Sequence, residues 1–206
     1  AMLDEIFELG EQYLHHVSAP GNCVSLLRDL IANEATEHSK EITRRTVLDT
    51  ISKSTGIPSD FLDDSIPLDL DATKAFLQER VMGQSVAVDA VMDLISAIKA
   101  GLTDSKKPFG IFFFCGPTGV GKTEMAKTLA ELVFGSSDRL LRIDMSEFAS
   151  WDSFERLIGA GRFKGILTEA VRQKPFSVVL LDEIEKAHPN VFDLCLQIFD
   201  AGRLTD

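Results

Sequence analysis

The sequence predicts an α/β fold, a parallel sheet with flanking helices, preceded by a small helical segment. Three observations carry this. Residues 111–114 and, after Ser177, 178–181 are continuously apolar and bounded by turn residues, as strands buried on both faces are. Each run passes through a polar loop into a helix-forming stretch, the strand–loop–helix order of a parallel sheet. Residues 1–55 instead place apolar side chains at helical spacing throughout.

In order, the first helix covers 3–17, with Leu3, Ile6, Phe7, Leu9, Tyr13, Leu14 and Val17 on one side. Pro20, Gly21 and Asn22 end it and open a second helix, whose expected core face is Val24, Leu26, Leu27, Leu30 and Ile31. A polar stretch over 34–40 precedes a third helix that starts at Thr43, turns Val47, Leu48 and Ile51 inward, and closes at 55–58. Residues 59–70 read as an irregular acidic linker, and Asp71 as the cap of a short helix to Glu79. The turn Arg80-Val81-Met82-Gly83-Gln84 leads into a long amphipathic helix over 85–99, and a polar loop over 101–108 leads to the first strand. Residues 139–145 form a further strand, and Ser146 is the expected cap of the turn after it. Helices over 151–158 and 166–173 flank a glycine-rich, basic, exposed loop at 159–165, and a last helix covers 191–199. The expected division is 1–55, a helical segment; 56–78, linker and short helix; and 79–206, the sheet domain.

The chemistry sits where the two apolar runs end. Residues 116–123 read Gly116-Pro117-Thr118-Gly119-Val120-Gly121-Lys122-Thr123, which fits G-x-x-x-x-G-K-[ST], and Glu124 opens the helix after it. Gly116, Gly119 and Gly121 let the backbone curl so that successive N–H groups face one anion, and the positive end of the following helix adds to that field. This is a nucleotide-phosphate loop, expected to bind ATP, with Lys122 reaching the β- and γ-phosphates and the Thr123 hydroxyl on Mg²⁺. The second run delivers Asp182 and Glu183 to the end of the sheet where ligands bind. Asp182 is expected to hold Mg²⁺ and Glu183 to act as general base on the attacking water.

Composition excludes other classes. A formal net charge of −11 without a basic stripe argues against a nucleic-acid partner. No apolar stretch reaches the length of a membrane span, so no membrane partner is expected. Cys23, Cys115 and Cys195 make neither a zinc pattern nor a disulfide framework, which points to a reducing, cytoplasmic setting. The His15-His16 pair reads as solvated.

Four strings narrow the class: Arg80-Val81-Met82-Gly83-Gln84, residues 116–124, Asp144-Met145-Ser146-Glu147-Phe148, and residues 180–189. In this order they closely resemble the second AAA+ module of the Clp ATPases, ring-forming unfoldases and disaggregases, from about Thr55 onward. Residues 13–35 resemble, more weakly, the last helices of the first module's small domain. The resemblance implies an AAA+ sheet of the phosphate-loop NTPase class, with 79–206 the N-terminal part of the second module's large domain. It implies self-assembly into a hexamer, an arginine supplied by the neighbouring subunit, and ATP hydrolysis coupled to threading of unfolded polypeptide. A Clp-type peptidase is left open as a further partner. It places Val81 and Met82 against the adenine, and it makes Phe163 a candidate grip on substrate. The alternative is a nucleotide-gated interaction module that binds ATP without threading.

The chain departs from the family's pattern in three places. The family's pore loop, Gly-Ala-Pro-Pro-Gly-Tyr-Val-Gly-Tyr and an acidic glycine stretch, is replaced by Gly161-Arg162-Phe163-Lys164-Gly165. The long coiled-coil insertion of the disaggregase branch is missing between the second and third helices, which favours a ClpA-like over a ClpB-like protein. The family's sensor strand, which lies between the two strands described above, would come after Asp206, as would its arginine finger and lid. The visible strands are therefore expected to lack their central partner, and this segment alone to be poorly stable or inactive.

Overall fold

The computed structural model describes residues 2–14, 20–37, 42–104, 107–151, 153–160 and 163–201, and the chain divides into two compact units, 1–68 and 69–206.

The first unit is helical: α1 (Met2–Tyr13), α2 (Gly21–Glu37), α3 (Arg44–Thr55) and the single turn α4 (Ser59–Leu62). Its core is Ile6, Leu9, Tyr13, Leu26, Leu30, Val47, Leu48, Ile51, Ile57 and Leu62, all buried. Each such aliphatic side chain is worth about 1.5–3 kcal/mol when removed from water. Burial pushes the Tyr13 phenol up to about 12, and the charge of Asp64 adds to the shift. The third helix starts where the sequence places it, because the Thr43 hydroxyl accepts from the Thr46 amide, and it stops at Gly56 in the left-handed conformation. Elsewhere the structure corrects the expectations. Val24 and Ile31 are exposed, since α2 turns Cys23, Leu26 and Leu30 inward instead. The helix also continues to Glu37 through part of the polar stretch. Residues 59–62, expected to be irregular, form α4 because Leu62 finds the core. Val17, His15 and His16 lie outside the described residues.

The second unit begins with α5 (Leu70–Arg80) and α6 (Ser85–Lys99), which pack on each other. Asp69, not Asp71, caps α5, its carboxylate accepting from the Ala72 amide. The helix α7 (Lys122–Phe134) packs against α5 and against a parallel pair, β1 (Leu140–Asp144) and β4 (Val178–Asp182). Their register sets Leu140 beside Val178 and Asp144 beside Asp182. Between them in sequence lie α8 (Ser153–Ile158), the two-residue strands β2 (Gly159–Ala160) and β3 (Phe163–Lys164), and α9 (Ile166–Gln173). The last helix is α10 (Pro189–Ala201). Ile143, Met145, Phe148, Leu157, Leu167, Val191 and Leu194 form the core beside the sheet.

Residues 111–114, expected as a buried strand, are the main correction. They are extended but join no ladder among the described residues, and Phe113 is 75% exposed. The alternation of an extended chain is kept: Phe112 and Phe114 are half-buried with stacked rings 5.6 Å apart, while Ile111 and Phe113 face outward. Its backbone pairs with none of the described strands. Asp144, not Ser146, caps the turn after β1, accepting from the Ser146 amide and hydroxyl. Trp151 precedes α8 rather than starting it. Among the described residues no helix is long and apolar enough to cross a membrane.

Candidate functional site

The glycine loop leads directly into α7. Gly119 and Gly121 take φ of 85° and 97°, in the left-handed region where a side chain would be strained. Gly121 is the N-cap of α7, and no side chain caps the helix there, so its first amides keep their donors for another acceptor. Pro117, Thr118 and Glu124 are exposed, and Val120, Lys122 and Thr123 half-buried. Lys122 Nζ donates to the carbonyls of Gly116 and Pro117 at 2.7 and 2.8 Å, which holds the ammonium over the loop.

At the end of β4, Asp182 and Glu183 separate in role. Asp182 accepts from Arg142 Nη2 at 2.7 Å and Nε at 3.1 Å, both on Oδ2. Arg142 is on β1, on the same face as Asp144 and diagonal to Asp182. Hydrogen bonds from the Ser146 hydroxyl and then its amide hold the Asp144 carboxyl below the usual range, with Lys186 and Arg142 adding attraction. Glu183 has φ 55°, the one positive value at a non-glycine residue among those described. Its Oε2 accepts from Lys186 Nζ at 2.6 Å, and this bond raises the affinity of Lys186 for its proton. The exit of β4 is fixed to the exit of β1 by the His188 amide, which donates to the Phe148 carbonyl at 2.8 Å.

A cavity of about 270 Å³ opens at the turn between α5 and α6, lined by Gln78, Val81, Met82, Gly83, Gln84, Ser85 and Val88. This is close to the lower end of small-ligand pockets, roughly 300 Å³. Val81 is its buried wall, 3% exposed, and Met82 its rim, 81% exposed. A Cβ added at Gly121 would meet Val81 Cγ1 at 3.2 Å, so the cavity wall and the glycine loop are in contact.

The loop at 159–165, expected to be simply exposed, is a short antiparallel hairpin with a buried base. Gly165 is buried, and a Cβ there would overlap the Ile158 carbonyl and the Gly159 amide. Thr168 Oγ1 donates to the Ile158 carbonyl at 2.9 Å across the same base. Phe163 lies in β3; Gly161, Arg162 and the side chain of Phe163 lie outside what is described.

The structure thus brings Val81 to Gly121, and it seats Lys122 over the loop. Sequence reasoning missed Arg142, Lys186 and Gln78. Arg142 carries a signal, since it sits two residues before Asp144, but it becomes readable only once the β1–β4 register is known.

The donor set suits the expected ligands. A threonine hydroxyl and a carboxylate are hard oxygen donors of the kind Mg²⁺ takes. Among the described residues no three His, Cys, Asp or Glu side chains converge into a metal site.

Residues 107–206 match the family model for the AAA domain (Cdc48 subfamily). The chain is 50% identical over 184 residues to the probable chaperone protein ClpB 1 of Chlorobaculum tepidum, covering 86% of this chain and 41% of the relative. It is 46% identical over 198 residues to the chaperone protein ClpB of Lactiplantibacillus plantarum, covering 90% of this chain and 23% of the relative. Among solved structures, a closed-state cryo-EM reconstruction of Hsp104 with ATPγS and FITC casein matches 99% of this chain and 37% of its own, at a TM-score of 0.84 and 33% identity. The S. cerevisiae Hsp104–ADP complex matches at a TM-score of 0.76 and 32% identity, over 98% of this chain and 36% of its own. This chain therefore spans less than half the length of these relatives. The sequence expectation of a ClpA-like protein, drawn from the missing insertion between α2 and α3, is not borne out: the relatives named here are ClpB proteins.

Proposed function

We propose that the chain is a Clp-type AAA+ ATPase module that binds ATP on the glycine loop and, within a hexameric ring, hydrolyses it to remodel unfolded polypeptide in the cytoplasm. The observation that carries the proposal is the contact between Val81 and Gly121, which sets an open cavity against a left-handed glycine loop at the start of α7. One ligand with an apolar ring and a polyphosphate fits both.

In this reading Val81 and Met82 contact the base, and the amides of 116–124 surround the phosphates. Lys122 exchanges the carbonyls of Gly116 and Pro117 for β- and γ-phosphate oxygens. Thr123 and Asp182 are the residues that would hold Mg²⁺, which when bound neutralises phosphate charge. Glu183 gives up Lys186 to orient the attacking water and take its proton. Its left-handed backbone, unlike that of Asp182, turns the carboxylate out of the strand direction.

Glu183→Gln is expected to keep ATP binding and to lower turnover by about 10²–10⁴-fold, the usual worth of a general base. ATP hydrolysis and native mass would be measured for this chain and for one extended past Asp206, each with and without the substitution. Ring formation and turnover by the extended chain, lost in Glu183→Gln, support the proposal. Turnover unchanged by Glu183→Gln would remove Glu183 from the chemistry. The second reading, a nucleotide-gated interaction module, rests on the short hairpin at 159–164. Threading unchanged in Phe163→Ala would favour it.

A further inference from the structure

Arg80 is the last residue of α5 and immediately precedes the cavity wall. Its guanidinium lies 3.9 Å from the centroid of the Phe76 ring, over its face. On the other side Nη1 is 3.3 Å from Glu131 Oε2, one helical turn from the end of α7. One side chain thus joins the helix that leads into the cavity to the helix that leads out of the glycine loop. The two segments meet a second time at Val81 and Gly121. Planarity lets a guanidinium stack on a ring and pair with a carboxylate at once, which an ammonium does poorly.

We infer that Arg80 is a positioning residue that fixes the spacing between the cavity and the glycine loop, and so couples binding of the base to binding of the phosphates. The inference rests on the reading of the cavity as the base site. A ligand held at two subsites gains from their fixed separation, because binding at one pre-pays the placement of the other. Loosening the separation weakens the two-part ligand and spares the phosphate-only one.

The test is calorimetric titration of the full chain with ADP and with inorganic pyrophosphate. In the parent, ADP tighter than pyrophosphate supports the base-site reading, and equal affinities would sink that reading. In Arg80→Gln the ADP dissociation constant is expected to rise about tenfold while that of pyrophosphate stays within about twofold. Glu131→Gln is expected to shift it in the same direction, and the double variant to cost less than the sum of the two. Arg80→Lys, which keeps the charge and loses the planar stack, is expected to fall between parent and Arg80→Gln, and serves if the latter does not fold. An unchanged ratio of ADP to pyrophosphate affinity in Arg80→Gln or in Arg80→Lys overturns the inference, because a merely structural residue would weaken both ligands alike.

Discussion

Residues 111–114 and the strand β4 are alike in sequence and unlike in structure. Both are short apolar runs, and each leads into a segment of the candidate site, the glycine loop or Asp182-Glu183. β4 pairs along its whole length with β1, and its partner strand shares its register to the last residue, Asp182. The run at 111–114 has the alternation of a strand and no ladder among the described residues, and its Phe113 faces solvent. Apolar content decides that a segment can be a strand; a neighbour with free amides and carbonyls decides that it is one. The site keeps its parts across this difference because α7 packs on both β1 and β4 and so carries the glycine loop's far end independently of 111–114.

The comparison can be tested by how much each run costs to disturb. Ile143→Ala, in the partner strand of β4, removes a buried side chain from the core and is expected to lower unfolding stability by about 2–5 kcal/mol in a denaturant titration. An effect within about 0.5 kcal/mol, the range of an ordinary surface change, would show that the paired strands are not the firm half. Amide exchange gives a finer reading: the amides of β1 and β4 that face each other are expected to be protected, and those of 111–114 to exchange near the intrinsic rate. Equal protection would mean that 111–114 has found a partner. The smallest effect is expected for Phe113→Ser, within about 0.5 kcal/mol of the parent, since its ring has little burial to lose.

How much of the molecule is legible in the sequence depends on the range of the interactions involved. The glycine loop, the start of α3 at Thr43, and the stretches of α6 and α9 are set by neighbours within a turn, and the structure has them where the sequence puts them. The core face of α2 is half legible. Leu26 and Leu30 are buried, but Val24 and Ile31 lie on a flank that only the placement of α1 and α3 determines. The same limit applies at the candidate site. Lys122, Asp182 and Glu183 announce themselves by motif, whereas Arg142 reaches Asp182 from another strand and Arg80 reaches Glu131 from another helix. Neither contact is written in local spacing. The state of 111–114 is half legible: the missing central partner is expected from the sequence, whereas the exposure of Phe113 is not, since burial depends on a second segment.

The closed base of the hairpin at 159–164 separates the loop from its mounting. Gly165 against Ile158, and Thr168 bonded across to the Ile158 carbonyl, pin the ends of α8 and α9 together whatever the tip contains. Chain added at the tip then costs only loop-closure entropy, about 0.6 kcal/mol for each doubling of its length, because the ends are already held. The mounting works as a socket: tips of different length and composition can be exchanged in it without re-aiming the helices on either side.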